Sequence, residues 1–276
     1  MIQILGIFIG LGALSALLCT LEWIFPSVRG QPLWREDSRV DLLYWFFTPL
    51  VTRAISRLVV VAAVALVFVA MGQRLGPHAV EGFGPVLLQP GWLIVIEMFL
   101  LGDLVGYWTH RCFHAGFLWK FHAVHHSSTR LDWLSSVRVH PVNDVVAKAV
   151  QAVALACLGF PLKMLAGYVP FLTLYAILLH ANVSWSFGPL RYAIASPLFH
   201  RWHHTRELQG LDRNFAPLFP FIDIVFGTFY MPKGEQPSRF GTVFTHVPES
   251  FIGQLLFPFL PTRRRPTPGR DSLPQT

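Results

Sequence analysis

Residues 91–126 read GWLIVIEMFLLGDLVGYWTHRCFHAGFLWKFHAVHH. The first half is apolar, interrupted only by Glu97 and Asp103, and His110 closes it. A bilayer core takes roughly 20 apolar residues in helix, so residues 91–109 form a candidate span. Acidic residues inside such a span face the protein interior or a site. The second half turns abruptly to histidine, with His110, His114, His122, His125 and His126 in quick succession.

Working outward, residues 4–21 are free of charge and stop at Glu22, with no basic region before them. They read as a retained span rather than a signal peptide. Residues 58–73 form another span, and the apolar stretch 42–51 either extends that helix or lies in the interface. Residues 145–159 and 164–181 are separated by Gly159-Phe160-Pro161 and predict a hairpin that dips into the membrane and returns. The expectation is an all-α integral membrane protein with four to five transmembrane or membrane-dipping helices. A cytoplasmic helical cap would hold a histidine-rich dimetal site.

Composition agrees. Of 276 residues, 53% are hydrophobic and only 13% charged, against about 25% charged in soluble domains. With the N-terminus outside and residues 26–57, 110–148 and 182–276 inside, only Arg74 and Lys163 of the 22 Lys and Arg lie outside. This is the positive-inside pattern. It accounts for the basic excess without nucleic acid, and it places the site on the cytoplasmic side of a bacterial inner membrane. Cys19, Cys112 and Cys157 form no disulfide or CxxC framework. The tail with Arg263-Arg264-Arg265 reads as a disordered cytoplasmic end.

Three histidine boxes follow in order: His110-x-x-x-His114, His122-x-x-His125-His126 and His200-x-x-His203-His204. Positions i, i+3 and i+4 share a helix face, so each box is expected to aim its imidazoles in one direction. Imidazole suits iron, zinc, copper and nickel, and eight of them exceed one tetrahedral zinc. Two metal ions fit the count better. His180 closes the fifth run on the same side and reads as a further ligand. His140, before Pro141, is either a ligand or structural. Asp103 shares a face with Tyr107, His110 and His114, and either orients a ligand histidine or makes a contact between spans. Glu97 and Cys112 read as packing residues. Phe117, Trp119, Trp133, Trp185 and Trp202 either line a lipid route or anchor the interface. There is no HExxH and no GxGxxG. A zinc-dependent membrane hydrolase would need a base carboxylate, with Asp103 and Glu207 as candidates. A metal transporter would place histidines within the spans.

The order Asp103…Tyr107-Trp108-x-His110-Arg111-x-x-His114, then the second box with Ser127, then His180, then the third box resembles the fatty acid hydroxylase/sterol desaturase superfamily. Asn214-Phe215 and Asp223…Phe226-Gly227-Thr228 are similar to its closing segment. The resemblance implies a catalytic domain over residues 95–232, preceded by N-terminal membrane helices over 1–94 and followed by a cytoplasmic segment over 233–276. It implies a di-iron oxygenase that hydroxylates or desaturates a membrane lipid with O2. His110, His114, His122, His125, His126, His140, His180, His200, His203 and His204 carry over as metal ligands. Some relatives have a further HxxxH box near His180, but position 184 is Ser here, so one ligand is either missing or supplied by His140 or water. Zinc is able to replace iron in purified protein. With no nicotinamide or flavin site of its own, the chain implies a separate electron donor: a ferredoxin, cytochrome or reductase.

Overall fold

The structure is a computed structural model describing residues 2–72, 76 and 80–261. Arg74, His78 and the Arg263-Arg264-Arg265 tail lie outside the described residues. Among the described residues the fold is helical, with two isolated bridges, Pro26 to Val183 and Thr205 to Phe240, in place of any sheet. The long helices are α1 (Ile2–Ile24), α2 (Ser38–Phe47), α3 (Arg53–Ala70), α4 (Gly91–Phe113), α6 (Pro141–Cys157) and α7 (Leu165–His180). The short ones are α5 (Trp119–His122), α8 (Pro197–His203), α9 (Phe221–Val225) and α10 (Phe251–Leu256).

Among the described residues, four helices are long and apolar enough to cross a membrane: Ile4–Ile24, Ser38–Ala70, Gly91–Phe113 and Leu162–His180. Their outer faces carry exposed Ile9, Leu58, Leu66, Trp92 and Leu174. Water would penalise such faces and lipid accepts them; this is a membrane protein. The stretch 42–51 extends the second span. A π-turn at Thr48–Thr52 absorbs Pro49, which has no N–H for the helix ladder, and α2 runs on into α3. The joined 33-residue helix is about 50 Å long at 1.5 Å per residue, well beyond a bilayer core of about 30 Å. Its first turns therefore stand out of the membrane.

The apolar run at 145–159 is not among these four helices. It forms α6, which packs Ala152 and Ala156 against Val64 and Phe68 of α3. Leu155 meets Ile94, Met98 and Tyr168 on another side. Gln151 donates to the Gly102 carbonyl at 3.0 Å. The turn after α6 depends on Gly159, whose φ is +84° and where a Cβ would lie 2.3 Å from the Phe83 carbonyl oxygen.

Polar clamps tie the N-terminal segment to the cap. Glu22 accepts from the Trp133 and Asn182 amides at 3.0 and 2.8 Å. Arg35 grips Asp132 with two bonds of 2.6 Å and reaches Asp41 at 2.6 Å. Arg138 donates to Asp41 at 2.6 Å and to Asp37 at 2.8 Å. Both arginines are buried, and buried charges persist only when paired in this way.

Candidate metal centre

Helix ends deliver the imidazoles. His110 lies in the last turn of α4 and His114 caps it. α5 ends at His122, and a tight 3₁₀ turn follows over His125–Ser127. α7 ends at His180. α8 carries His200 and His203, with His204 as its cap.

Nine histidines meet in two groups. His110, His114, His122, His126 and His203 form one, and His125, His180, His200 and His204 the other. Within each group the available ligand nitrogens lie within 4.8 Å of one another. The groups abut, with the rings of His126 and His204 4.3 Å apart and those of His203 and His204 5.2 Å apart.

Neither HxxHH box points one way, contrary to the expectation from spacing. The second box sends His122 and His126 to the first group and His125 to the second. The third sends His203 to the first and His200 and His204 to the second. Helical periodicity explains this: at about 100° per residue, i+3 and i+4 straddle position i and diverge from each other by a quarter turn.

The outer nitrogens fix the protonation pattern. Nδ1 of His110 donates to the Phe215 carbonyl at 2.8 Å, and that of His203 to the Arg213 carbonyl at 2.8 Å. Nδ1 of His125 and of His180 donate to the carbonyls of Arg138 and Ala176 at 3.1 and 2.7 Å. His122 donates to Asn143 Oδ1 at 2.7 Å and His114 to Asp212 Oδ1 at 2.9 Å. A neutral imidazole has one N–H. Spending it outward leaves the inner Nε2 as a bare lone pair.

Those lone pairs then face one another. Nε2 of His110 lies 3.0 Å from Nε2 of His122, and Nε2 of His125 lies 3.2 Å from Nε2 of His180. With no proton available to bridge either pair, such contacts repel until a cation lies between them. Neighbouring ligands on metal–nitrogen bonds of about 2.1 Å are themselves about 3.0–3.4 Å apart. The Nε2 atoms of His114 and His203 are buried without a hydrogen-bond partner. The donor set therefore fits two metal ions of the kind imidazole prefers. Burial acts in the same direction. It holds His122, His125, His126, His200, His203 and His204 well below the ordinary imidazole pKa, keeping them neutral and ready to ligate.

Two residues proposed from sequence stand elsewhere. His140 belongs to neither group. Its Nδ1 accepts from the Val142 amide at 3.1 Å, capping α6, and its Nε2 donates to the Leu255 carbonyl at 3.0 Å. Both nitrogens are engaged by backbone groups, and the structure does not bring His140 to either group. Asp103 touches no histidine. Its two oxygens accept from the amides of Leu218 and Phe219, each at 2.8 Å. It braces the segment whose Phe215 carbonyl orients His110, one step further out than the expected contact. As a base it is occupied, and Glu207 likewise accepts from Ser238. A hydrolytic base beside the metals is thus not provided by either candidate. Trp133 and Trp202 are buried core residues, while Trp119 lines a cavity beside His114 and His126.

Sequence reading missed the outer partners Asn143 and Asp212. Asp212 and Asn214 sit at positive φ, 52° and 59°, a region that Asp and Asn tolerate better than other side chains. Asn214 anchors this turn by donating to the Phe199 and Tyr230 carbonyls at 2.9 and 2.7 Å. Asp223 adds a second staple, accepting from the Phe215 and Ala216 amides at 2.7 and 2.9 Å. A D-x-N pair between the third box and the closing segment is the local signal that marks this turn.

Helical spans capped by two histidine clusters able to hold metal define a class of membrane protein, and comparison with known proteins narrows it. The family model for fatty acid hydroxylase matches residues 95–228, and this segment belongs to that family. An ornithine lipid hydroxylase of Rhizobium tropici is 32% identical over 154 residues, 55% of this chain and 46% of the relative. An alkylglycerol monooxygenase of Caenorhabditis elegans is 26% identical over 184 residues, 62% of this chain and 35% of the relative. A very-long-chain aldehyde decarbonylase of Oryza sativa subsp. indica is 28% identical over 177 residues, 58% of this chain and 26% of the relative. The chain thus spans less than half the length of these curated relatives. No solved structure matches it.

Proposed function

We propose that the protein is an O2-dependent oxygenase that hydroxylates or desaturates an unactivated C–H bond of a membrane lipid. The observation that carries this reading is the pair of abutting histidine groups, whose buried, unprotonated Nε2 atoms face inward at the ends of membrane-spanning helices. Membership of residues 95–228 in the fatty acid hydroxylase family supports it, as do relatives named lipid hydroxylase and monooxygenase.

His110, His114, His122, His126 and His203 would hold one iron, and His125, His180, His200 and His204 the other. Bound there, the iron pair supplies redox chemistry able to activate O2. The protein's part is positional. Carbonyls of Ala176, Arg138, Arg213 and Phe215, with Asn143 and Asp212, lock the orientation and tautomer of six of these nine rings. Burial of the imidazoles excludes bulk water from the reacting centre. The ends of α4 and α7 set the histidines where a lipid can approach from the bilayer. Residues 95–232 form the catalytic unit in this reading. The N-terminal segment supports it, because the clamp on Arg138 holds the carbonyl that orients His125. The positive-inside pattern supports a site on the cytoplasmic face of an inner membrane, where a separate ferredoxin, cytochrome or reductase would supply electrons.

The test compares lipids of cells with and without the gene, grown under isotopically labelled dioxygen, beside metal analysis of the purified protein. The expected result is a lipid heavier by one labelled oxygen, or one carrying a new double bond, with about two irons per chain. Full activity without O2, with one tightly held zinc, would sink the proposal.

A further inference from the structure

A cavity of about 190 Å³ opens onto three histidines of the five-membered group, His114, His126 and His203. The other described cavities are larger, at about 730, 500 and 370 Å³, and none is lined by any of the nine histidines. Among the described cavities, this small one is therefore the one that brings a ligand to the candidate metal centre.

Its size limits what can enter. A cavity of about 150 Å³ holds a benzene molecule, so this one takes about six to eight non-hydrogen atoms. Pockets that swallow whole drug-sized ligands begin at about 300 Å³. The cavity is open at its mouth, so it seats about that many atoms of a larger ligand at once while the rest lies outside.

Its lining is mixed. Leu211, Val243 and Trp119 give apolar walls, while Thr245 and Asp212 give hydrogen-bonding groups. Thr245 Oγ1 accepts from Trp119 Nε1 at 2.9 Å, which leaves the hydroxyl's own proton to donate. Asp212 uses Oδ1 for His114, which leaves Oδ2 to accept. The Thr205 hydroxyl, by contrast, is committed: it donates to Arg239 and accepts from Glu207. The Thr242 hydroxyl donates to the Thr245 carbonyl, so the lining side chains offer the Thr245 proton as a donor and Asp212 Oδ2 and the Thr242 oxygen as acceptors within a short apolar sleeve. That suits a small group able both to donate and to accept, such as a hydroxyl, amine or amide.

Resting on the oxygenase reading, we infer that the cavity admits the polar end of a lipid, and that the bond attacked lies within about six atoms of a hydroxyl, amine or amide group. The hydrocarbon chain stays outside. Phe244, a lining residue that is 72% exposed, offers it an apolar contact.

The experiment uses membranes from cells making the full chain under isotopically labelled dioxygen, with tandem mass spectrometry to locate the label in each lipid. A label in the headgroup, or within that short distance of it, is the expected result. A label in mid-chain or at the methyl end overturns this inference and leaves the oxygenase reading intact. No labelled lipid and no new double bond in any extract removes both. Two variants test the cavity itself, with metal content as the measure of an intact centre. Val243→Trp fills the space and should abolish labelled product while the metal stays bound; unaltered product refutes the assignment. Thr245→Val should lower product about tenfold through the lost hydrogen bond, and Thr245→Ser should restore it. If Ser fails to restore it, the hydroxyl is not the recognising group.

Discussion

Asp212 offers the sharpest test of the candidate centre. Of the outer partners that hold the histidines, it alone is a carboxylate; Asn143 and the backbone carbonyls are neutral. The hydrogen bond from His114 holds its carboxyl below the ordinary range, so it is ionised at neutral pH. Asp212→Asn keeps an acceptor oxygen and tolerates the positive φ of 52°, so charge is the only large change. A hydrogen bond to a charged partner is worth about 1 kcal/mol more than a neutral one. The side chain is 73% exposed, which argues for the low end. Binding at the five-histidine group should therefore weaken about fivefold. Asp212→Gly keeps the backbone free to adopt the same φ and removes the acceptor, and should cost about 10- to 100-fold. The assay is stepwise chelator extraction of the purified protein, counting metal per chain. One equivalent should leave earlier in both variants and the other should not move. If both equivalents shift together, or neither does in Asp212→Gly, the division into separate groups is wrong.

Other consequences are as direct. His140→Gln should leave metal content unchanged and lower stability by about 1 kcal/mol through lost capping bonds; loss of one metal would return His140 to the ligand set. The cap histidines are buried neutral, so the unfolded chain binds more protons than the folded one below about pH 6.5. Stability of the metal-free protein should be complete above that pH and fall as pH drops, by about 1.4 kcal/mol per pH unit for each such histidine; a melting temperature flat from about pH 7 to 5 would contradict their burial. Arg35→Met strands Asp132 without its cation and leaves Asp41 with Arg138 alone, and should cost about 3–5 kcal/mol, read as a lower melting temperature. Gly102→Ala would put a methyl 2.4 Å from the Tyr168 hydroxyl oxygen and should cost about 1–3 kcal/mol by forcing α4 and α7 apart.

Much of this architecture was legible because it is local. A charge-free run such as 4–21 announces a bilayer helix whatever surrounds it. The boxes declare themselves because helical spacing gathers side chains within one short stretch. What resisted reading depends on partners far along the chain. Nothing near Asp103 says that its oxygens serve the amides of Leu218 and Phe219, 115 and 116 positions on. That i+3 and i+4 diverge is a property of each HxxHH box, but which group each histidine joins depends on where the other helices stand. His140 is an intermediate case. It directly precedes Pro141 at the start of α6, and a polar residue before a first-turn proline is a capping position. Weighing that signal would have separated it from His180.

The interleaving of the boxes also bears on how the polypeptide holds its shape. If each group holds an ion, the first ties the end of α4 to α8, joining His114 to His203, 89 positions apart. The second ties His125 to His180 and His204. These are cross-links over long stretches of chain, and closing a loop of about 100 residues removes about 4–5 kcal/mol of unfolded-chain entropy in the simplest polymer treatment. Every HxxHH box contributes to both knots, so the same short turns anchor both cross-links. Each ion would act as a rivet as much as a reagent, so filling the centre and completing the fold would be one event.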